Sequence, residues 1–364
     1  MKFRILLCLG FAILFASVFL FEPQIFNLVN KTNRNTYQNV IASDLIVHFI
    51  DVGQGDSIAI ELPDDKVVLI DSGTGSSKTS LISYLNANVL VDDKNIDYFI
   101  VTHPHEDHIG GGAAVFQNFD ILSFYRPTVY TQNEKNELSL EYGESYANGL
   151  HVYNTVIFQQ LVSAAKEEEC ETVFFSSAYL PTIVSEEYTL TFLTPQNSLY
   201  DNLNNYSPMI LLEYQNKKVL FTGDAETQIE NEYLGLGLFD KIDVLKVGHH
   251  GSSTSSSQLF LNRIQPTYSI ISVGKDNTYG HPNENILTRF ASMQSQVYRT
   301  DENGTILLGI SSAGLFVHGL NSNGLPINIQ VWEIYVAGCV IVCYLVLSVN
   351  VTLNKPKTKK KASK

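Results

Sequence analysis

Apolar residues run through this chain in two styles. At the ends they are unbroken: residues 5–21 carry no charge, and residues 331–353 carry only Glu333. Between the ends the runs are short. Residues 45–52, 57–62 and 66–70 are dense in Val, Ile and Leu and predict three strands, the first two joined by the turn Gly53-Gln54-Gly55-Asp56. Residues 96–102 predict a fourth strand. Residues 151–165 space apolar side chains at helical intervals, with Tyr153, Val156, Ile157, Gln160, Leu161 and Ala164 on one face. Further strands are expected at 190–193, 209–214, 219–221, 244–247 and 269–273, and helices at 227–234 and 284–292. Strand blocks alternating with helices predict one α/β domain over residues 44–322, two sheets sandwiched between helical layers in a four-layer αβ/βα arrangement.

The end runs predict location. Lys2 and Arg4 precede the first, so residues 1–24 are expected to form a signal anchor or a signal peptide. Residues 331–353 are long enough to span a bilayer, and Glu333 falls near the interface, where a charge costs least. The tail 354–364 holds six lysines. Basic flanks stay on the cytoplasmic side, so the expected arrangement is a domain outside the cell, held to the cell membrane by lipid contacts of N- and C-terminal transmembrane segments, with the tail in the cytoplasm.

Charge narrows the partners. The chain has 24 Lys and Arg against 37 Asp and Glu, and eight of the basic residues are Lys2, Arg4 and the six tail lysines. The part between them therefore has 16 basic residues against 37 acidic ones, a net −21. Non-specific affinity for nucleic acid comes mainly from Lys and Arg at phosphates, so a broad basic face is excluded. Of four cysteines, only Cys170 lies outside the end runs, and the domain has no internal disulfide.

The densest chemistry is Thr102-His103-Pro104-His105-Glu106-Asp107-His108, directly after an apolar strand. Two histidines two apart at a strand end point the same way, and Asp107 and His108 turn the corner to hold a second ion. Imidazole with carboxylate suits zinc, or manganese where oxygen ligands dominate. The Gly53-Gln54-Gly55-Asp56 turn is too short for a phosphate cradle and no Gly-Lys-Ser/Thr follows, so no nucleotide cofactor is expected. Gln54 and Asp56 either line the mouth of the site or serve strand pairing.

The cluster resembles the His-x-His-x-Asp-His signature of the metallo-β-lactamase superfamily. With Val47-His48-Phe49-Ile50-Asp51-Val52-Gly53-Gln54-Gly55-Asp56-Ser57, Leu69-Ile70-Asp71-Ser72-Gly73, Leu220-Phe221-Thr222-Gly223-Asp224-Ala225-Glu226, Leu245-Lys246-Val247-Gly248-His249-His250-Gly251-Ser252 and Tyr279-Gly280-His281-Pro282, it is similar to the extracytoplasmic domain of ComEC-type competence proteins over residues 45–310. The resemblance implies two divalent ions: His103 and His105 on one, Asp107 and His108 on the other, and Asp224 bridging. It assigns His250 as a further ligand, leaves His249 to face substrate, and puts Asp71 behind the ligands.

In the wider superfamily a third histidine completes the first ion's site. Only His151 lies in the relevant interval, and it is expected at a helix end, so Asn205 or water is left for that place. His281, Ser252 and Ser253 are candidate contacts for a substrate oxyanion, and His48 and His318 are expected to be ordinary strand residues. The implied activity is hydrolysis by a metal-bound hydroxide, with Asp107 taking or orienting its proton and Asp107, His249 and His281 as the catalytic set. Phosphodiesters, DNA among them, are the expected substrates. A small phosphodiester such as a phosphorylcholine ester is the alternative that the acidic domain favours, and a non-catalytic metal-bearing receptor is a third reading.

Overall fold

A computed structural model describes residues 32, 34–91, 94–176, 181–237 and 239–321. The expected spans 5–21 and 331–353 and the tail lie outside the described residues, and among the described residues no helix is long and apolar enough to cross a membrane.

Two sheets form the frame. The first has eight strands in the order Gly314–Gly319, Ile306–Ser311, Leu45–Phe49, Ile58–Glu61, Val67–Ile70, Asn95–Ile100, Asp120–Pro127 and Glu171–Phe175. The second has seven: Gln296–Arg299, Tyr268–Ile271, Val244–Lys246, Lys217–Phe221, Met209–Tyr214, Tyr188–Leu193 and Thr182–Val184. Each sheet is antiparallel at one side and turns parallel at the other. Val67–Ile70 pairs in parallel with Asn95–Ile100, and Lys217–Phe221 with Val244–Lys246 and onward to Tyr268–Ile271.

Side-chain alternation explains why the strands read as continuous apolar runs. Val68 and Ile70 point into a core between the sheets with Phe49, Phe192, Ile210, Phe221 and Ile270, whereas Leu69 joins a second core beneath the helices with Phe99, Leu81 and Leu161. Both faces are covered, as in the expected α/β sandwich. The parallel strands run the same way, so their carboxyl ends gather at one rim, where ligand sites form in open α/β sheets.

Several boundaries differ from expectation. The helix at 151–165 begins instead at Val156 and runs to Glu168, started by Thr155, whose hydroxyl accepts the N–H of Phe158. His151 therefore opens no helix: with Val152 it forms a short strand paired with Val129–Tyr130. The strands Asp120–Pro127, Glu171–Phe175, Thr182–Val184, Gln296–Arg299, Ile306–Ser311 and Gly314–Gly319 were not expected from the pattern. His48 lies in a strand but is engaged on both ring nitrogens, with Tyr84 Oη at 2.9 Å and Glu61 Oε1 at 2.7 Å. His318 also sits in a strand, its ring 5.4 Å from that of Tyr37.

Candidate metal centre

The functional side chains hang from the carboxyl ends of five strands. After Ile70 comes Asp71, in left-handed backbone with φ 57°. One of its oxygens accepts the N–H of Thr102 at 2.8 Å, and the other accepts the Thr102 hydroxyl at 2.8 Å and His108 Nδ1–H at 2.7 Å. One carboxylate thus fixes both the loop that follows the strand Asn95–Ile100 and the ring orientation of His108, leaving Nε2 facing inward. The Gly53-Gln54-Gly55-Asp56 turn lets that loop approach, since a Cβ on Gly55 would collide with the Asp107 carbonyl, to which the Asp56 N–H donates at 3.1 Å.

From the other sheet, Asp224 follows Phe221, and His249 and His250 follow Lys246. Both histidines sit in left-handed backbone, φ 50° and 52°, and each brings Nε2 to 3.7 Å from an Asp224 oxygen. His250 Nδ1–H donates to the Ser272 carbonyl at 2.9 Å, which turns Nε2 inward. Ligand atoms of Asp107, His108, Asp224 and His250 all lie within 4.8 Å of one another. His108 Nε2 is 3.2 Å from Asp224 Oδ1, and His250 Nε2 is 3.3 Å from Asp107 Oδ2.

The donor set fits a divalent cation. His108 Nε2, His250 Nε2 and Asp224 Oδ1 are buried without a hydrogen-bond partner, a cost that native proteins accept where another partner is due. Burial alone would lower the imidazole pKa values, but the carboxylates outweigh it. Asp224, Asp71 and Asp107 raise His108 well above its ordinary value, and Asp224 and Asp56 push His250 up to about 10. Burial likewise opposes ionisation of Asp224 and Asp107, yet the facing histidines hold both well below the usual carboxylate range. Two protons thus balance two carboxylates, and one divalent cation would replace them without changing net charge.

His103 and His105 form a neighbouring pair. His103 Nε2 is 2.9 Å from His105 Nδ1 and 3.9 Å from Asp224 Oδ2, while His103 Nδ1 is held by the Ser207 and Thr102 hydroxyls at 3.2 and 3.1 Å. Burial, reinforced by His108 beside it, keeps His103 well below its ordinary pKa, so its lone pair is available. Burial also lowers His105. Asp224 touches both groups and is placed to bridge them.

Two expectations, on Asn205 and Ser252, need correction, and for Asp56 the alternative left open is decided against the mouth. Asn205 does not face the pair: its amide donates to Gln228 and its oxygen accepts the Glu226 N–H. Asn204 points at the centre instead, its Nδ2 3.5 Å from both ring nitrogens of His249 and its oxygen buried without a partner. Asp56 is not at the mouth. It is 1% exposed, holds the buried Lys246 ammonium at 2.7 Å and stands 3.4 Å from His250 Nδ1. Ser252 is buried and shares a hydrogen bond with Thr254, whereas Ser253 is exposed. Gln54 accepts the Gly274 N–H at 3.0 Å.

His249 stays outside the tight group, with Nε2 3.7 Å from Asp224, and His281 lies over His249 and His250 with ring centroids 5.6 and 6.4 Å away. Burial, with His249 and His250 nearby, holds His281 down to about 4. Lys246 is the structural member that sequence reading missed. Its position in a strand gave no sign that it points between the sheets.

A family model described as the metallo-β-lactamase superfamily matches residues 50–275. The ComE operon protein 3 of Bacillus subtilis is 29% identical over 283 residues, covering 73% of this chain and 33% of that protein. Recombination protein 2 of Haemophilus influenzae is 29% identical over 265 residues, covering 71% and 28%. The chain thus spans about a third of the length of these relatives. A solved metallo-β-lactamase fold protein, YhfI of Bacillus subtilis, aligns at 13% identity and TM-score 0.44 over 70% of this chain and 96% of that one.

Proposed function

The chain belongs to the metallo-β-lactamase superfamily, and we propose that it is a metal-dependent phosphodiesterase, with a nuclease activity as its principal form. The observation that carries this is the convergence of buried, unpartnered nitrogen and carboxylate atoms from His108, His250 and Asp224, with Asp107 beside them. His103 and His105 would hold a second ion next to it, and Asp224 would bridge the two. Zinc is the expected metal, with manganese favoured where Asn204 and carboxylate oxygens replace imidazole.

Bound divalent ions lower the pKa of water towards neutrality and neutralise charge on a phosphoryl group in displacement. The chain's own groups supply the rest. Asp107, ionised and partly open to solvent, is placed to orient the attacking water and accept its proton. His249, partly exposed and 3.7 Å from Asp224, would meet a substrate oxygen, and neutral His281 stands beside it. Asp71 keeps His108 in one tautomer and orientation.

We place the domain outside the cell, tethered by the apolar residues 5–21 and 331–353 with the lysine tail in the cytoplasm, on the sequence pattern alone. The test is to purify the full-length chain in detergent, measure bound metal, and assay bis-nitrophenyl phosphate, single- and double-stranded DNA and a phosphorylcholine ester with and without chelator. Chelator-sensitive cleavage of DNA supports the nuclease, and turnover of the small esters alone favours the small-phosphodiester reading. Absence of turnover on every substrate in metal-loaded protein refutes the phosphodiesterase.

A further inference from the structure

The loop after the strand Tyr268–Ile271 is fixed from inside by one side chain. Asn277 Nδ2 donates to the carbonyls of Gly274 at 3.0 Å and His281 at 2.6 Å, and its oxygen accepts the N–H groups of Tyr279 at 3.2 Å and His281 at 3.1 Å. Both ends are pinned as well. The Gly274 N–H donates to Gln54 at 3.0 Å, and the Asn283 N–H to Gly251 at 2.9 Å. Gly251, at φ 81°, packs so closely on Pro282 that a Cβ would collide with it.

On this frame three rings lie in series. The His281 ring is inclined 26° to His250 with centroids 6.4 Å apart, and the Tyr279 ring is inclined 25° to His281 at 5.9 Å. Tyr279 is 71% exposed, so packing does not account for it. Its ring is backed on one face by His281, which in turn stands beside His250.

We propose that Tyr279, backed by His281, is a base-binding subsite: its exposed face takes the unstacked nucleobase of the nucleotide next to the phosphodiester held at the metal centre. This rests on the phosphodiesterase reading and names its substrate class as single-stranded nucleic acid. The parallel rings favour it. A quaternary ammonium is held by rings converging at steep angles, whereas a near-parallel pair presents one flat surface to a planar group. A domain at net −21 offers no broad basic face for phosphates, so affinity for a strand would have to come from stacking, which is tolerant of sequence. A base inside a duplex has both faces covered, so the subsite selects single strands.

The test compares the full-length protein with Tyr279→Ala, Tyr279→Phe and Tyr279→Trp on a thymine oligonucleotide and on an oligomer of the same backbone without bases. Tyr279→Ala is expected to raise KM about tenfold on the thymine oligomer while kcat stays within about twofold and the baseless oligomer is unaffected; Phe and Trp retain the low KM. A second readout needs no turnover: 2-aminopurine in a single strand is quenched on binding, and the quench is lost in Tyr279→Ala. Equal loss on both oligomers, no loss on either, or Tyr279 dependence confined to a phosphorylcholine ester overturns the subsite. Failure of the phosphodiesterase reading looks different, as wild-type protein then cleaves neither oligomer while the Tyr279-dependent quench still reports the subsite.

Discussion

The ammonium of Lys246 lies 2.7 Å from Asp56 Oδ2 with both side chains shut off from solvent, joining the two sheets across 190 residues of sequence. Burial opposes ionisation of Asp56, but Lys246 and then His250 overcome it and hold the carboxyl down to about 2. The pair thereby sets negative charge behind the Nδ1 of His250, 3.4 Å away. Removing one partner strands the other: Lys246→Ala is expected to destabilise the protein by about 3–5 kcal/mol, whereas Lys246→Met with Asp56→Leu recovers part of it. Denaturant unfolding in the presence of chelator reads this directly. Equal stability of single and double variants would show that the charges are not coupled.

Asp71 tests how the centre is oriented. Asp71→Asn keeps the shape but replaces the carboxyl acceptor behind His108 Nδ1 with an amide. Metal affinity is expected to fall about 10–100-fold. Competition with a chromophoric chelator measures it, and unchanged affinity in a folded variant would assign Asp71 to loop structure alone.

What the sequence disclosed, and what it withheld, follows from distance along the chain. His103 to His108 lie within six positions after a strand, so their proximity is guaranteed by chain geometry. Asp224 and His250 were reached only through resemblance to a family, because only the parallel pairing of their strands brings them to that rim. Lys246 was silent since one strand position decides which face a side chain takes, and the pattern there is apolar on both faces. Asn205 was the expected residue, and only the short turn Leu203–Tyr206 sets its neighbour Asn204 toward His249 instead. The strands Asp120–Pro127 and Glu171–Phe175 escaped because Asp120, Ser123, Arg126 and Glu171 interrupt their apolar runs.

The raised His250 pKa gives a signed pH dependence. Its folded value of about 10 stands above the ordinary 6.5, so with chelator present the protonated form contributes stability that is complete below about 6.5 and is lost as pH rises through about 10. Metal binding expels that proton and the one on His108, so affinity rises with pH over the same window. Thermal unfolding with chelator between pH 6 and 10 should fall with pH, and His250→Gln should flatten the slope. A slope of opposite sign would place an uncharged imidazole at this position.

Asn204 bears on the second ion. Its oxygen is buried and unpartnered and its amide nitrogen lies 3.5 Å from the His249 ring, on a chain in which the superfamily's third imidazole has no counterpart. An amide oxygen is a weaker and harder donor than imidazole, so this ion should be the more easily lost and the more tolerant of manganese. Asn204→Ala is expected to weaken one of two metal equivalents at least about tenfold and leave the other unchanged, while Asn205→Ala, whose side chain is spent on Gln228 and Glu226, affects neither. Asn204→His should tighten zinc at that position. Metal titration followed by elemental analysis after dialysis distinguishes the cases: equal effects of the two alanine variants, or a single equivalent in wild-type protein, would remove Asn204 from the centre.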